Sequence, residues 1–282
     1  MKLRPHRFGL VNPIPKAPYR ALYREEFLPS LGVLPKTGVR TILISASTTN
    51  VNLFALAGSP SYPVTIVFKI LPGVVVGSTA SATPALSTGG FAAKSKIWLI
   101  NMDTLIAQGG NGGNGANGNN PGLAGGNGAA GGNAMSLGCD LILINLGAMY
   151  GGGGGGGGGG STWWISGTDG GGGGGAGQGY PTSTGGTRGT FLGGFTRDST
   201  AGGNGNQGGP GTGGVGSIDN GPVARGGDGG NGGAYATAGN SGTGSTPADG
   251  TGGSPGAAGK AIALNGFTLS MYVTGTLVGA VS

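Results

Sequence analysis

The sequence predicts a mostly β and irregular fold, in which a small β-rich neck of hairpin repeats carries a bundle of polyglycine II helices, with essentially no α-helix. Glycine supplies 73 of the 282 residues, several times its ordinary share of about 7%. Only 9% of residues are charged, yet 36% are apolar, so the apolar residues must be concentrated in one part of the chain. In the glycine-rich part, glycine recurs at every third position. These three observations predict a small apolar core joined to a lattice of glycine-rich helices.

Residues 1–40 are predicted to form a docking arm. This segment holds eight basic residues and six prolines against two acidic residues, Glu25 and Glu26, so it accounts for the whole formal net charge of +6. A nucleic-acid-binding protein is expected to spread its basic residues over a folded face. A short, basic, proline-rich segment is more typical of an arm that gains order on another protein.

Residues 41–108 are predicted to form the β-rich neck, and residues 261–282 a final strand pair that closes it. A repeat of strand, asparagine and second strand occurs three times, and its strands hold much of the apolar content. Asparagine tolerates positive φ, so we expect a hairpin turn at each asparagine. The repeats are Ile97–Ile106 around Asn101, Leu141–Tyr150 around Asn145, and Ile262–Leu269 around Asn265.

Residues 109–260 are predicted to form the polyglycine II bundle. The stretch Gly151–Gly160 is ten consecutive glycines, and from Gly202 to Gly214 every third residue is glycine. A left-handed threefold helix forms no internal hydrogen bonds, so its amides must find partners on neighbouring helices or in water. A flexible glycine-rich coil is the alternative. The constant phase and the flanking strand repeats favour the bundle, and the scarcity of proline argues against collagen.

Aromatic and polar interruptions separate the glycine runs. If one run goes out and the next returns, the interruptions are turn loops, and some of them lie together at one end of a rigid scaffold. Aromatic and arginine side chains on such loops are typical of a binding surface. The alternative is that the aromatic residues cap the bundle against water. The predicted contact residues are Trp163, Trp164, Tyr180, Arg188, Phe191, Phe195, Arg197 and Tyr235.

The sequence argues against an enzyme, a cofactor and a metal site. His6 is the single histidine and lies in the basic arm, the aspartates are scattered singly, and Cys139 is the single cysteine. No general base, metal cluster or phosphate-binding loop is therefore expected. The first residues lack the apolar segment of a secretory signal, and no stretch is long enough to cross a membrane. We expect assembly in a cytoplasm, without membrane insertion and without a nucleic-acid partner.

Glycine-rich runs alternating with aromatic and polar loops, over residues 109 to about 260, resemble the distal tail-fibre adhesins of T-even-type bacteriophages. The resemblance implies a polyglycine II sandwich whose loops bind a bacterial surface receptor, either an outer-membrane protein or a glycan. It places the protein in the virion, at the tip of a tail fibre or tail, after assembly in the host cytoplasm. Residues 1–40 would then dock onto a tail-fibre or tail-tip protein, with the adhesin either a monomer on a trimeric fibre or a homotrimer.

Two other classes share parts of the pattern. A structural tail protein could use the glycine bundle as a rigid spacer, and its interruptions would then only turn the chain. Arthropod antifreeze proteins built from polyglycine II helices share the threefold period, but they need a flat, regular face, against which the aromatic loops argue. The mycobacterial glycine-rich repeat proteins are similar in Gly109–Asn114, but their helical N-terminal domain is missing.

Overall fold

Arg40–Ser282 forms one compact unit. Apart from its last residues, the predicted docking arm lies outside the described residues. This computed structural model describes residues 39–118, 122–164, 167–190, 196–219, 224–247 and 249–282.

Three parallel sheets form the β part of the molecule, with strands numbered in chain order. The first sheet has the order β1 (Arg40–Ile44), β4 (Thr65–Ile70), β7 (Lys96–Asn101), β10 (Leu141–Asn145) and β17 (Leu269–Val273). The second has the order β18 (Thr276–Val278), β11 (Ala148–Tyr150), β8 (Thr104–Ile106), β5 (Val75–Gly77) and β2 (Thr48–Thr49). The third has the order β16 (Ile262–Ala263), β9 (Met135–Ser136), β6 (Leu86–Ser87) and β3 (Val51–Asn52).

The chain visits the three sheets in turn, so the β part is a succession of coils. Each of the first four coils contributes one strand to each sheet, and neighbouring coils pair in parallel, as Phe68 with Leu99 and Leu99 with Leu143. These three side chains are fully buried in the shared core. Burying a side chain of this size stabilises the fold by about 1.5–3 kcal/mol.

The prediction of hairpin repeats is wrong, although the fold is β and irregular as expected. The two strands of each repeat do not pair with each other. In the repeats around Asn101 and Asn145, the first strand joins the first sheet and the second strand joins the second sheet, where both pair in parallel with the neighbouring coils. In the repeat around Asn265, β16 joins the third sheet and β17 the first sheet. The strands β17 and β18 do not pair with each other either, because they pair with β10 and β11 of the preceding coil, and Val281 bridges back in parallel to Ile262 of β16.

Two of the repeat asparagines mark corners of the coils. The side chains of Asn101 and Asn145 are fully buried. Asn101 Nδ2 donates to Asn145 Oδ1 at 2.8 Å, and Asn145 Nδ2 donates to the carbonyl of Thr274 at 2.6 Å. These bonds satisfy groups whose burial would otherwise be costly. Asn265 has the expected positive φ of 51°, and it is followed by Gly266 at 85°.

The glycine-rich segments are insertions between the second and third strands of two coils. Two glycine helices lie between β8 and β9, and eight lie between β11 and β16. Each insertion holds an even number of helices, so the chain leaves and re-enters the β part at the same end of the bundle. In chain order the helices are 109–118, 122–133, 151–160, 170–178, 183–190, 200–206, 211–217, 226–234, 237–243 and 250–260.

The third helix, 151–160, is surrounded by six others. Gly152 donates its N–H to the second helix, Gly153 to the fourth and Gly154 to the ninth, and this order repeats every three residues up to Gly160. The carbonyls of Gly152, Gly153 and Gly154 accept N–H groups of the tenth, first and eighth helices, and this order also repeats every three residues. All ten glycines are buried. Sideways bonding with a period of three is the pattern of polyglycine II, so the predicted bundle is confirmed.

The fourth helix, 170–178, is the second centre of the lattice. It bonds to the first, third, fifth, sixth, seventh and eighth helices. The bonded pairs together place the ten helices in three rows of three, four and three. The second, first and fifth helices form one outer row, the tenth, third, fourth and sixth form the middle row, and the ninth, eighth and seventh form the other outer row.

Asparagine side chains complete the lattice at its margin. Asn111, Asn114 and Asn117 lie three residues apart on the first helix, and their Oδ1 atoms accept the backbone N–H groups of the fifth helix at 2.9–3.0 Å. The partners are Thr184, Thr187 and Thr190. The repeated asparagine therefore supplies acceptors where no backbone carbonyl is in place.

Among the described residues, the α-helical content is one turn, α1 (Leu53–Leu56), capped by Asn52, whose side chain accepts from Ala55 N–H at 3.0 Å. Within this described part, no helix has the length and apolar character needed to span a membrane.

Candidate functional site

The loops between glycine helices lie at two opposite ends of the bundle. One end faces the β coils, since Gly151 follows directly on β11. The loops at the opposite end, which we call the far-end loops, join helices that run outward to helices that return. The described far-end loops are 161–169 without 165 and 166, 196–199 of the loop 191–199, 218–225 without 220–223, and 244–249 without 248.

The first far-end loop is a β-hairpin that presents Trp163. Strand β12 (Thr162–Trp164) pairs antiparallel with β13 (Gly167–Asp169), and Trp163 lies opposite Thr168. Trp163 is 41% exposed, which is unusual for so large an apolar side chain. The described part of Trp164 is its backbone in β12, and its side chain lies outside the described residues.

Asp249 ties this hairpin to the loop 244–249. Its Oδ2 accepts from the Thr162 hydroxyl at 3.0 Å and from the Trp163 N–H at 3.3 Å. The opposite strand of the hairpin is held by a second carboxylate, because Asp169 Oδ1 accepts from the Ser217 hydroxyl at 3.0 Å. The hairpin is therefore fixed on both sides by neighbouring far-end loops.

Backbone bridges connect the remaining far-end loops into one strip. Strand β14 (Thr196–Arg197) pairs antiparallel with β15 (Ile218–Asp219), and Ile218 also bridges to Arg225. Arg225 N–H donates to the Thr246 carbonyl at 2.7 Å, and Thr246 N–H donates back at 2.8 Å. The loops thus form a connected surface.

Two arginines of this end lie in exposed ion pairs. Arg188 is 3.0 Å from Asp198, and Arg225 is 2.6 Å from Asp228. Exposed pairs of this kind contribute about 0–1 kcal/mol to stability. Their guanidinium groups can therefore exchange this partner for a ligand carboxylate or phosphate at little cost. The side chain of Arg197 lies outside the described residues.

Tyr180 and Tyr235 are separated from the other predicted contact residues, because both lie at the end of the bundle that faces the β coils. Tyr180 follows the fourth helix, donates its N–H to the carbonyl of Ala107, and packs its ring against Gly77 of β5. The ring of Tyr235 lies 4.9 Å from that of Tyr150. Burial, with the nearby Tyr150, raises the pKa of Tyr235 from 10.0 to about 12.

Phe191 and Phe195, the other two predicted contact residues, lie outside the described residues. Sequence reasoning missed Leu123, which is 44% exposed at the far end of the second helix. Its carbonyl accepts the N–H of Ser161 at 2.9 Å, next to the hairpin. The signal was a single large apolar residue in a run of glycine, alanine and asparagine. Asp249 was also missed, since a lone aspartate carries no pattern.

Within the described ranges, no group of three or more His, Cys, Asp or Glu residues is placed to hold a metal ion. What this end of the molecule offers is an exposed indole, exposed apolar side chains and guanidinium groups, which suit adhesion to another surface.

A rigid backbone lattice that holds several connected loops at one end defines a binding protein of the adhesin class. A family model described as phage tail fibre adhesin Gp38 matches residues 39–282, and the chain belongs to this family. The protein is therefore a receptor-binding adhesin of a phage tail fibre, and a component of the virion tail.

A solved structure shares the fold. It is the gp37–gp38 adhesin tip complex of the bacteriophage S16 long tail fiber, with a TM-score of 0.52 and 22% sequence identity over 93% of this chain and 89% of that chain. No curated protein matches the sequence.

Proposed function

We propose that the protein recognises a receptor on the bacterial surface, an outer-membrane protein or a glycan, through the far-end loops. The observation that carries this proposal is the placement of these loops together at the end of the bundle away from the β coils, where they are bridged to one another. The proposed contact residues are Trp163, Trp164, Arg188, Phe191, Phe195 and Arg197, to which the structure adds Leu123. The packing of Tyr180 and Tyr235 favours a structural role for these two residues.

Binding of the labelled protein to a panel of bacterial strains tests this proposal. In the test variant, Trp163, Trp164, Phe191 and Phe195 are changed to serine, and we expect binding to fall at least about tenfold, because buried aromatic anchors dominate binding energy. The matched control is Tyr62→Ser, which removes a 66% exposed aromatic ring from the β part.

Equal binding by the test variant and the wild type would place the site elsewhere. If the wild type bound no strain of the panel, a structural spacer would be the better explanation. Thermal hysteresis in the wild type would favour the antifreeze alternative, and a catalytic turnover would overturn the expectation that the protein is not an enzyme.

We also propose that residues 1–40 dock onto a tail-fibre protein. The support is their basic, proline-rich composition and the similar solved structure, in which gp38 forms a complex with gp37 at the tip of a long tail fiber. Changing Lys2, Arg4 and Arg7 to glutamate in the full chain should abolish co-purification with the fibre protein and leave cell binding intact. Retained co-purification would contradict the proposal.

Light scattering of the complex distinguishes a monomer on a trimeric fibre from a homotrimer, and fractionation of infected cells tests assembly in the host cytoplasm.

A further inference from the structure

The exposed Trp163 is held in place by groups that belong to other far-end loops. It lies on β12, and β12 reaches the loop 244–249 through two hydrogen bonds to one carboxylate oxygen, Asp249 Oδ2, while the Thr162 hydroxyl also lies 3.3 Å from the carbonyl of Pro247. Thr162, which donates one of them, is fully buried, whereas Asp249 is exposed. The link therefore runs from a buried hydroxyl to a surface carboxylate that also accepts from the backbone of Trp163.

The loop that carries Asp249 is closed on itself, so it is a firm point of attachment. Ser245 N–H donates to the Gly250 carbonyl at 2.9 Å, and Gly250 N–H donates back to the Ser245 hydroxyl at 3.0 Å. Asp249 N–H donates to the Pro247 carbonyl at 2.8 Å. These bonds fix the backbone on which the carboxylate stands.

The same loop is the junction between the hairpin and the rest of the far end. On one side, Asp249 holds the hairpin. On the other side, Thr246 is bridged through both of its backbone groups to Arg225, which is in turn bridged to Ile218. Thus Trp163 and the arginine-bearing loops have a common support.

We propose that Asp249 is a positioning residue for receptor recognition: by accepting from Thr162 and Trp163, it sets the orientation of the Trp163 indole relative to the other far-end loops. The inference rests on the proposed function of those loops. Asp249 acts here as a hydrogen-bond acceptor, and its negative charge is not required.

A pair of substitutions separates this role from direct contact with the receptor. Asp249→Ala removes the acceptor, whereas Asp249→Asn keeps a carbonyl oxygen of the same size and position and removes the charge. We expect Asp249→Ala to lower binding to a strain that the wild type binds by at least about tenfold, since the Trp163 N–H loses its acceptor, while the Thr162 hydroxyl keeps the carbonyl of Pro247. Asp249→Asn should bind within about threefold of the wild type, because one amide oxygen can accept from both donors.

Hydrogen exchange of the purified full chain gives a readout that needs no receptor. In Asp249→Ala, the peptide that carries Trp163 should exchange faster, while the peptides of the third and fourth glycine helices keep wild-type protection. Asp249→Asn should restore protection of the Trp163 peptide.

The results that would overturn the role of Asp249 differ from those that would overturn the proposed function of the far-end loops. Unchanged exchange in Asp249→Ala would overturn the positioning role, whether or not any strain binds. Equal loss of binding in both variants, with exchange restored in Asp249→Asn, would make Asp249 a charged contact and would also overturn it. Faster exchange in Asp249→Ala, with no loss of binding to a strain that the wild type binds, would overturn the link to recognition.

Discussion

The glycines of the two central helices each face a backbone atom of a neighbour. A Cβ added at Gly155 would coincide with the carbonyl oxygen of Asn111, and one added at Gly174 with that of Gly156. Each of these helices has six neighbours, so a glycine at any of the three positions of the threefold repeat faces the backbone of a neighbouring helix. This explains why 151–160 is pure glycine, whereas marginal helices also carry larger side chains, as the first helix does with Asn111, Asn114 and Asn117.

Replacing Gly155 by alanine should therefore lower the free energy of unfolding by about 3 kcal/mol, the upper range for overpacking a tight interior. The obstructing atom belongs to the backbone of another helix and cannot move alone. Denaturant unfolding measures the effect. The control is Gly209→Ala, since a Cβ there meets no atom within 4 Å, and it should be nearly neutral. Equal costs for both would contradict the role given to the lattice.

Buried Asn145 joins its coil to both neighbouring coils through its side chain, so Asn145→Ala should cost about 2–3 kcal/mol by removing the nearest acceptor of Asn101 Nδ2 and the donor to the Thr274 carbonyl. Asn231→Ala is the matched control, because its Oδ1 accepts only at the margin, from Gly213 N–H at 2.7 Å, where water can replace it. Thermal unfolding of the two variants checks the difference. A larger loss of stability in Asn231→Ala than in Asn145→Ala would contradict the greater contribution assigned to the buried hydrogen bonds of Asn145.

Ionisation of Tyr235 should make the stability of the fold depend on pH in the alkaline range. Its raised pKa means that the folded state favours the neutral phenol, so this contribution to stability is complete below pH 10 and is lost as pH rises towards about 12. Tyrosinate absorbance should show one late-titrating group that is missing in Tyr235→Phe. A wild-type titration without such a late step would refute the assignment.

Single helices and strands show which features the sequence could predict. The threefold phase of glycine was sufficient for the helix type, because phase is a local property. The strand arrangement was not, because strand, asparagine and strand fit either a hairpin or the corner of a coil. The uninterrupted apolar runs at Leu141–Ile144 and Ile97–Ile100 were the better signal, since strands of parallel sheets tend to be apolar on both faces.

The position of a residue in the threefold repeat also leads to a prediction for the first helix, which lies at the margin of the lattice. One glycine inserted between Gly113 and Asn114 moves Asn114 into the place of Gly115, whose Cβ position coincides with the Gly171 carbonyl. We expect this insertion to destabilise the protein strongly. Inserting Asn-Gly-Gly at the same point keeps every side chain in phase and should be tolerated, with the extra turn extending the far end. Circular dichroism melting compares the two, and equal melting temperatures would contradict the phase argument.

At the scale of the whole molecule, the lattice depends on the β coils. Each glycine insertion starts and ends on strands of one coil, and the two coils are neighbours, so the coils fix where the first and last helices of each insertion stand. The order of the helices and the loops that share the far end follow from this non-local arrangement. No local sequence pattern indicates which loops share an end of the bundle. For this reason the predicted contact residues included Tyr180 and Tyr235, which lie at the end that faces the β coils.

Phe68→Ala, in the fully buried core of the coils, should cost about 3–5 kcal/mol and lower the stability of the lattice together with that of the coils. Hydrogen exchange should show the glycine helices and the strands losing protection together. Glycine helices that kept full protection while the strands opened would show that the bundle folds independently.

The sideways bonding of the helices also has a mechanical consequence. A pull at the far-end loops along the helix axes loads the hydrogen bonds between helices in shear. Each central helix shares that load with six neighbours, so many bonds must break at once before any helix slides. A strip of hydrogen bonds peeled one by one would yield to a smaller force. The lattice thus suits a part that transmits tension between a cell surface and a fibre.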